Sequence, residues 1–352
     1  MTSVETIDLK PGYTISRIIR GGWQLAGGHG PVDRVAAVDD LIAAFDAGIF
    51  TFDCADIYTG VEELYGAMRA RLRATRGEAA AARLKVHTKL VPDLAILPRI
   101  ARGDVEAIVD ASLRRLRVEA LDVVQFHWWD YVEPRWLEAL HWLDALRAKG
   151  KIRHIGATNF DAPHVAAILD AGIPLLSLQV QYSVLDHRPE NGLAALCRRH
   201  GAALLCYGSV AGGFLSDRWI GAREPTVGLE NRSLVKYKLI IDDFGGWGLF
   251  QELLATLRRI ADRHATDVAT VASRAALDRP GVAAVIIGAR TRAHLAANVG
   301  VSRLKLSPED HAAIDSVVRR RTGPLGDVYE LERDRAGRHG AIMKYNLNVE
   351  AS

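Results

Sequence analysis

Short apolar runs alternate with helix-period segments along almost the whole of this chain, and that rhythm restricts the available folds more than any other feature. The runs are SRIIRGG (16–22), FTFDCA (50–55), RLKVHTKL (83–90), LDVVQFHW (121–128), KIRHIGATNF (151–160), LSLQVQYS (176–183), AALLCYGS (202–209) and VAAVIIGA (282–289). They read as strands buried on both faces, the pattern of a parallel sheet. Between them lie amphipathic segments. One is 33–49, with Asp33 as candidate N-cap; another is 133–150, with Pro134 near its start and Gly150 just past its end. Eight β-then-α units in 352 residues predict an α/β fold, a (β/α)8 TIM barrel. A long insertion (212–248) follows strand seven. It is too long for a structureless loop and reads as a lid or substrate loop. Helices are expected near 249–264, 267–278, 291–300 and 308–319, with an irregular tail from about 320. The whole chain, 1–352, is expected to form a single domain. The alternative is an open doubly wound sheet, against which stands the lack of a GxGxxG after the first strand.

Composition narrows the function. The chain is 49% hydrophobic and 25% charged, with 45 Lys plus Arg against 42 Asp plus Glu. A net charge of +3 is too balanced to argue for nucleic acid or an anionic membrane. The N-terminal MTSVETIDLKPGY has no apolar core of a signal peptide, and the longest apolar stretches are too short and Gly-rich to span a bilayer. Cys54, Cys197 and Cys206 show no metal spacing, so a reduced, cytoplasmic setting is expected. The 12 histidines include neither HExxH nor HxH at a strand end, so no metal site is expected.

Barrel catalysis takes place at the C-terminal ends of strands and in the loops behind them. Asp53 comes late in strand two and Tyr58 in the loop after it; Lys89 ends strand three and His127 ends strand four. Adjacent strands therefore bring all four to one mouth. A buried Lys is costly unless paired, and a Tyr near a Lys–Asp pair can serve as a proton donor to a carbonyl.

The segments FDCADIY, KVHTKL, VVQFHW and GKIRHIGATNF resemble the signature segments of the aldo-keto reductases, and the resemblance runs from about residue 13 to residue 300. Position by position, it makes Asp53, Tyr58, Lys89 and His127 the catalytic tetrad. It implies direct hydride transfer from a reduced nicotinamide to an aldehyde or ketone, or the reverse, with Tyr58 as proton donor. Lys89 would lower the Tyr58 pKa, Asp53 would hold Lys89 charged, and His127 would hydrogen-bond the substrate oxygen.

The same resemblance extends the cofactor across the mouth. Thr158, Asn159 and Gln179 would hold the nicotinamide carboxamide and Tyr207 would stack on its ring. The pyrophosphate would lie near Gly208, Ser209, Val210 and Gly212, where small residues let backbone N–H groups approach. Gly22, Trp23 and Gly288 count among the cofactor-facing residues, as do Asn298 and His294 on the adenosine side. Arg290 would take the 2′-phosphate, so NADP(H) is expected over NAD(H). Trp23, Trp128, Trp129, Trp219 and Trp247 are candidates for the substrate wall. The partner is then a small carbonyl or alcohol. A nucleotide-sensing binding subunit with little turnover, as among potassium-channel auxiliary subunits, is the alternative reading, since fold alone does not fix function.

Overall fold

The computed structural model describes residues 4–27 and 30–348. The chain begins with a hairpin, β1 (Thr6–Lys10) and β2 (Tyr13–Ser16), paired antiparallel around Pro11 and Gly12. Gly12 sits at φ +81°, which a side chain resists. The run at 16–22 is therefore two elements, because β2 ends at Ser16 and the first barrel strand, β3, spans Ile18–Gly21. The hairpin was not expected; the Pro-Gly turn between two half-exposed runs was its local signal.

The remaining strands are β4 (Thr51–Asp53), β5 (Lys85–Leu90), β6 (Leu121–Phe126), β7 (Ile152–Thr158), β8 (Leu175–Gln181), β9 (Ala203–Tyr207) and β10 (Val282–Gly288). With β3 they close a parallel barrel in the order β10-β3-β4-β5-β6-β7-β8-β9. The architecture is the (β/α)8 barrel. Among the described residues, seven α-helices accompany the strands up to β9: α1 (Arg34–Asp46), α2 (Val61–Arg76), α3 (Glu78–Arg83), α4 (Arg102–Leu116), α5 (Trp136–Ala148), α6 (Ala162–Asp170) and α7 (Leu193–Arg199). The Asp33 side chain caps α1, accepting from the Val35 and Ala36 N–H groups. Between β9 and β10 lie α8 (Arg232–Phe244), α9 (Gly246–Arg263) and α10 (Val268–Leu277). After β10 come α11 (Leu295–Arg303), α12 (Pro308–Val318) and the short α13 (Glu330–Arg333).

Period-two alternation sorts the strand side chains. On β6, Val124 and Phe126 join the core between sheet and helices, whereas Val123 packs inside the barrel with Ile19, Leu205 and Ile286. Tyr13 and Ile15 of the hairpin pack into that interior cluster. The register pairs Asp53 with His87 and Lys89 with Gln125. Parallel strands thus present their C-terminal residues at one end of the barrel.

The insertion is more ordered than a loop. Its second half is α8, started by Asn231, whose side chain accepts from Leu234 N–H, and ended at Gly245 at φ +141°. Leu234, Tyr237, Ile240, Ile241 and Phe244 recur at helical spacing and are buried against α9, α10 and α12 in a second core with Phe214, Phe250 and Leu257. Among the described residues no helix is long and apolar enough to cross a membrane.

Candidate active site

Asp53 and Lys89 face each other from adjacent strands. Lys89 Nζ donates to Asp53 Oδ2 at 2.7 Å and Oδ1 at 2.9 Å, and to the Cys54 carbonyl at 2.7 Å. Asp53 Oδ1 also accepts from Gln179 Nε2 at 2.6 Å and Gln125 Nε2 at 3.2 Å. Both charged side chains are buried. The carboxylate is thus surrounded by donors, which offset its desolvation. Tyr58 stands beside this pair, its ring centroid 5.1 Å from Lys89 Nζ, and Trp23 tilts against its other neighbourhood at 5.1 Å between centroids.

Burial works against the charged form of Lys89, but its neighbours, Asp53 foremost with Tyr58 and Cys54, together outweigh it and the pKa rises above the ordinary lysine value. Tyr58 departs from the expectation. Burial pushes its pKa above the usual phenol value; Lys89 pulls it down, but not far enough to cancel the rise, to which Asp53 adds. The phenol is therefore protonated at neutral pH. His127 is neutral as well, held down to about 3 by burial, with the Arg333 cation adding to the effect. Its Nδ1 lies 3.2 Å from the Thr158 carbonyl, which can only accept, so Nδ1 carries the proton. Nε2 is then a lone-pair acceptor, and it is buried without a partner.

Asp53, Tyr58, Lys89 and His127 line one cavity of about 920 Å³, together with Trp23, Trp129, Thr158, Asn159, Gln179, Tyr207, Gly208, Ser209, Val210, Gly212, Gly288, His294 and Asn298. Asn159 adopts φ +63°, a conformation Asn tolerates better than most residues, and its Oδ1 accepts from Tyr207 O–H at 2.8 Å. Thr158 O–H donates to the Gln179 carbonyl at 3.2 Å. The amide N–H of Gln179 is engaged by Asp53, so this residue is a partner of the tetrad in addition to any cofactor contact.

Other expected residues lie elsewhere. Trp128 is wholly buried, its Nε1–H donating to the Asp130 and Glu133 carbonyls, and its ring packs on Phe126. Trp219 and Trp247 pack on each other and on Phe214 beside the second core. None of these three lines the cavity. Gly22 lies behind the lining, pressed on Asp53, Val61 and Tyr65 so closely that a Cβ would collide; Gly21 lines the cavity in its place. Arg290 is exposed, its guanidinium donating to the Pro31 carbonyl at 3.3 Å outside the lining.

The structure also supplies residues that sequence reading missed. Gln125 falls on the inward parity of β6 with Val123 and His127, a signal that was available. From α8, Lys236 and Tyr237 reach the cavity, and from the tail come Tyr329, Met343 and Leu347. Tyr329 stacks edge-on to His127 at 5.6 Å, as Trp129 does at 4.3 Å. The tail is anchored by buried ion pairs. Arg188 bridges Asp186 at 2.8 Å and Glu332 at 2.9 Å, and Lys236 Nζ lies 3.5 Å from Glu332. Arg333 donates to the Asn159 carbonyl at 2.7 Å and the Trp128 carbonyl at 3.3 Å. Burial lowers the Lys236 pKa against the upward pull of Glu332. Among the described residues no cluster of His, Cys, Asp and Glu is arranged to hold a metal ion.

The model of the aldo/keto reductase family matches residues 17–319. An NADH-specific methylglyoxal reductase of Escherichia coli (strain K12) is 28% identical over 324 residues, covering 84% of this chain and 93% of that one. An aldo-keto reductase of Bacillus subtilis (strain 168) is 26% identical over 329 residues, covering 90% and 95%. Among solved structures, the glycerol dehydrogenase of Gluconobacter oxydans superposes with a TM-score of 0.75 at 25% identity, covering 91% of this chain and 97% of that one.

Proposed function

The chain belongs to the aldo/keto reductase family, and on that premise we propose that it is a nicotinamide-dependent oxidoreductase that reduces a small aldehyde or ketone to the alcohol, or runs the reverse. The observation that carries this reading is the buried Lys89–Asp53 pair beside a protonated Tyr58, opening on the same cavity as the unpartnered Nε2 of His127.

In this reading the cavity of about 920 Å³ holds the dinucleotide. Gly208 and Gly212 have positive φ, and a Cβ on either would strike Tyr237, so backbone and ring form a close cradle where the pyrophosphate is proposed to lie. Tyr207, Asn159 and Thr158 would hold the nicotinamide end, and Asn298 with His294 the adenosine end. A bound reduced nicotinamide would supply the hydride. Tyr58 would give its hydroxyl proton to the carbonyl oxygen as that oxygen becomes an alcohol. Lys89 would steady the phenolate left behind, and Asp53 would keep Lys89 charged. With its proton on Nδ1, His127 would accept a hydrogen bond at Nε2 from the alcohol hydroxyl, which favours one orientation of the reacting oxygen.

NADP(H) was expected on the strength of Arg290, whose guanidinium is turned to Pro31. That position, and the E. coli relative named as NADH-specific, favour NADH. Trp23, Trp129, Tyr329 and Met343 give the substrate end an aromatic and aliphatic wall. The three cysteines are buried and free, in keeping with a cytoplasmic setting. The complete tetrad weighs against a barrel that only senses nucleotide.

The test is consumption of NADH and of NADPH by the purified chain with methylglyoxal, an aromatic aldehyde and a simple ketone, and reduction of NAD+ with glycerol. Turnover that falls by roughly 10²–10⁴ in Tyr58→Phe is expected. Equal activity, or equal inertness, of the two proteins sinks the proposal.

A further inference from the structure

Lys236 belongs to the insertion, yet its ammonium sits among residues from three parts of the chain. Nζ lies 5.3 Å from the ring centroid of Tyr207 on β9, 5.8 Å from that of Tyr237 on α8, and 5.6 Å from that of Tyr329 in the tail. All four residues line the cavity. Aromatic faces attract a cation, so three rings hold the ammonium at the cavity wall. Its carboxylate neighbour is already shared. Glu332 accepts from Arg188 at 2.9 and 3.2 Å and stands 3.5 Å from Lys236. Arg188 and Glu332 are 1% exposed at their side chains, and Lys236 is 16% exposed. Lys236 is thus the member of this cluster that meets the cavity.

A nicotinamide ring changes charge in the reaction. Oxidised, it is a cation; reduced, it is neutral and electron-rich. Resting on the reading above, in which that ring stacks on Tyr207, the ring would lie within the field of Lys236. With Lys236 Nζ 5.3 Å from the Tyr207 ring centroid, a cationic ring stacked on Tyr207 would be repelled by the ammonium, whereas a neutral electron-rich ring is a favourable neighbour for it. We propose that Lys236 sets the enzyme's preference between the two redox forms of its nucleotide, favouring the reduced form and weakening the hold on the oxidised one. The residue acts before and after hydride transfer: it helps load the hydride donor and helps expel the spent cation. No proton or electron passes through it.

The experiment measures dissociation constants for NADH and NAD+ by calorimetry on the full chain, in wild type, Lys236→Met, Lys236→Gln and Lys236→Arg. Gln keeps a polar group beside Glu332 while removing the charge, and Arg keeps the charge. Loss of the charge is expected to narrow the NAD+/NADH ratio of dissociation constants by about tenfold, chiefly through tighter NAD+. Lys236→Arg is expected to stay near wild type. A ratio unmoved in both neutral variants, or moved equally in Lys236→Arg, overturns this inference and leaves the proposed function standing. A wild-type chain that binds neither nucleotide overturns both.

Discussion

Lys89 Nζ and Asp53 Oδ2 lie 2.7 Å apart across neighbouring strands, both side chains almost wholly buried. A buried pair of this kind is costly to break from one side, because the remaining charge has no compensation. Asp53→Asn is therefore expected to destabilise the fold by roughly 3–5 kcal/mol. The double variant Asp53→Leu/Lys89→Met should recover part of that loss. Denaturant titration of the single and double variants decides it; additive losses would show that the two charges do not act as a pair.

Tyr58→Phe should leave nucleotide affinity within a few-fold of wild type and cut turnover by roughly 10²–10⁴, the usual worth of a positioned general acid. Because burial raises the Tyr58 pKa, the reductive rate should hold through neutral pH. It should fall only on the alkaline side, beyond the ordinary tyrosine value of about 10. A pH–rate profile for single-turnover reduction reads this directly. An acid-to-neutral transition governed by Tyr58 would contradict it.

Acid should weaken the fold through two buried histidines. His87, inside the barrel within 3.1 Å of Tyr13 Oη, and His127 are both held down to about 3 by burial. Their unfolded value is near 6.5. The unfolded chain then binds protons that the folded chain refuses, so stability is full above about pH 6.5 and drains as pH falls toward 3. Each histidine should contribute about 1.4 kcal/mol per pH unit inside that window. Denaturation midpoints at stepped pH, with His87→Gln as comparison, should show a shallower slope in the variant.

Gly208→Ala tests the cradle. The position has φ +79°, and its Cβ would strike Tyr237 Oη. Alanine should displace α8, cost about 1–3 kcal/mol of stability, and weaken NADH binding. Calorimetry on the variant is the check, and unchanged affinity would place the dinucleotide elsewhere.

Much of the barrel is legible in the sequence. Strand runs, helix periods and the residues at strand ends are local properties, because β4, β5 and β6 are near-continuous buried runs written in consecutive residues. Asp53, Tyr58, Lys89 and His127 reach one cavity for that reason: neighbouring parallel strands of a closed barrel end on the same face. The helix at 232–244 was legible in principle, through Asn231 and the spacing of its apolar residues, but a loop reading hid it.

Tertiary structure alone decided what covers the mouth. Arg188 and Glu332 are 144 residues apart in the chain, and no local pattern pairs them. Their bond, with that of Arg333 to the Asn159 carbonyl, brings the tail over His127. Likewise Trp128 and Trp129 are adjacent in sequence and equally apolar. Only the path of the chain after β6 turns Trp128 into the core and Trp129 to the cavity. The sequence by itself determined the barrel and the four residues at its mouth, since both follow from short-range periodicity. The net pKa of Tyr58, the place of Lys236 and the aromatic wall of the cavity were decided by the folded chain, since burial and charge arise from contacts between segments that are distant in sequence.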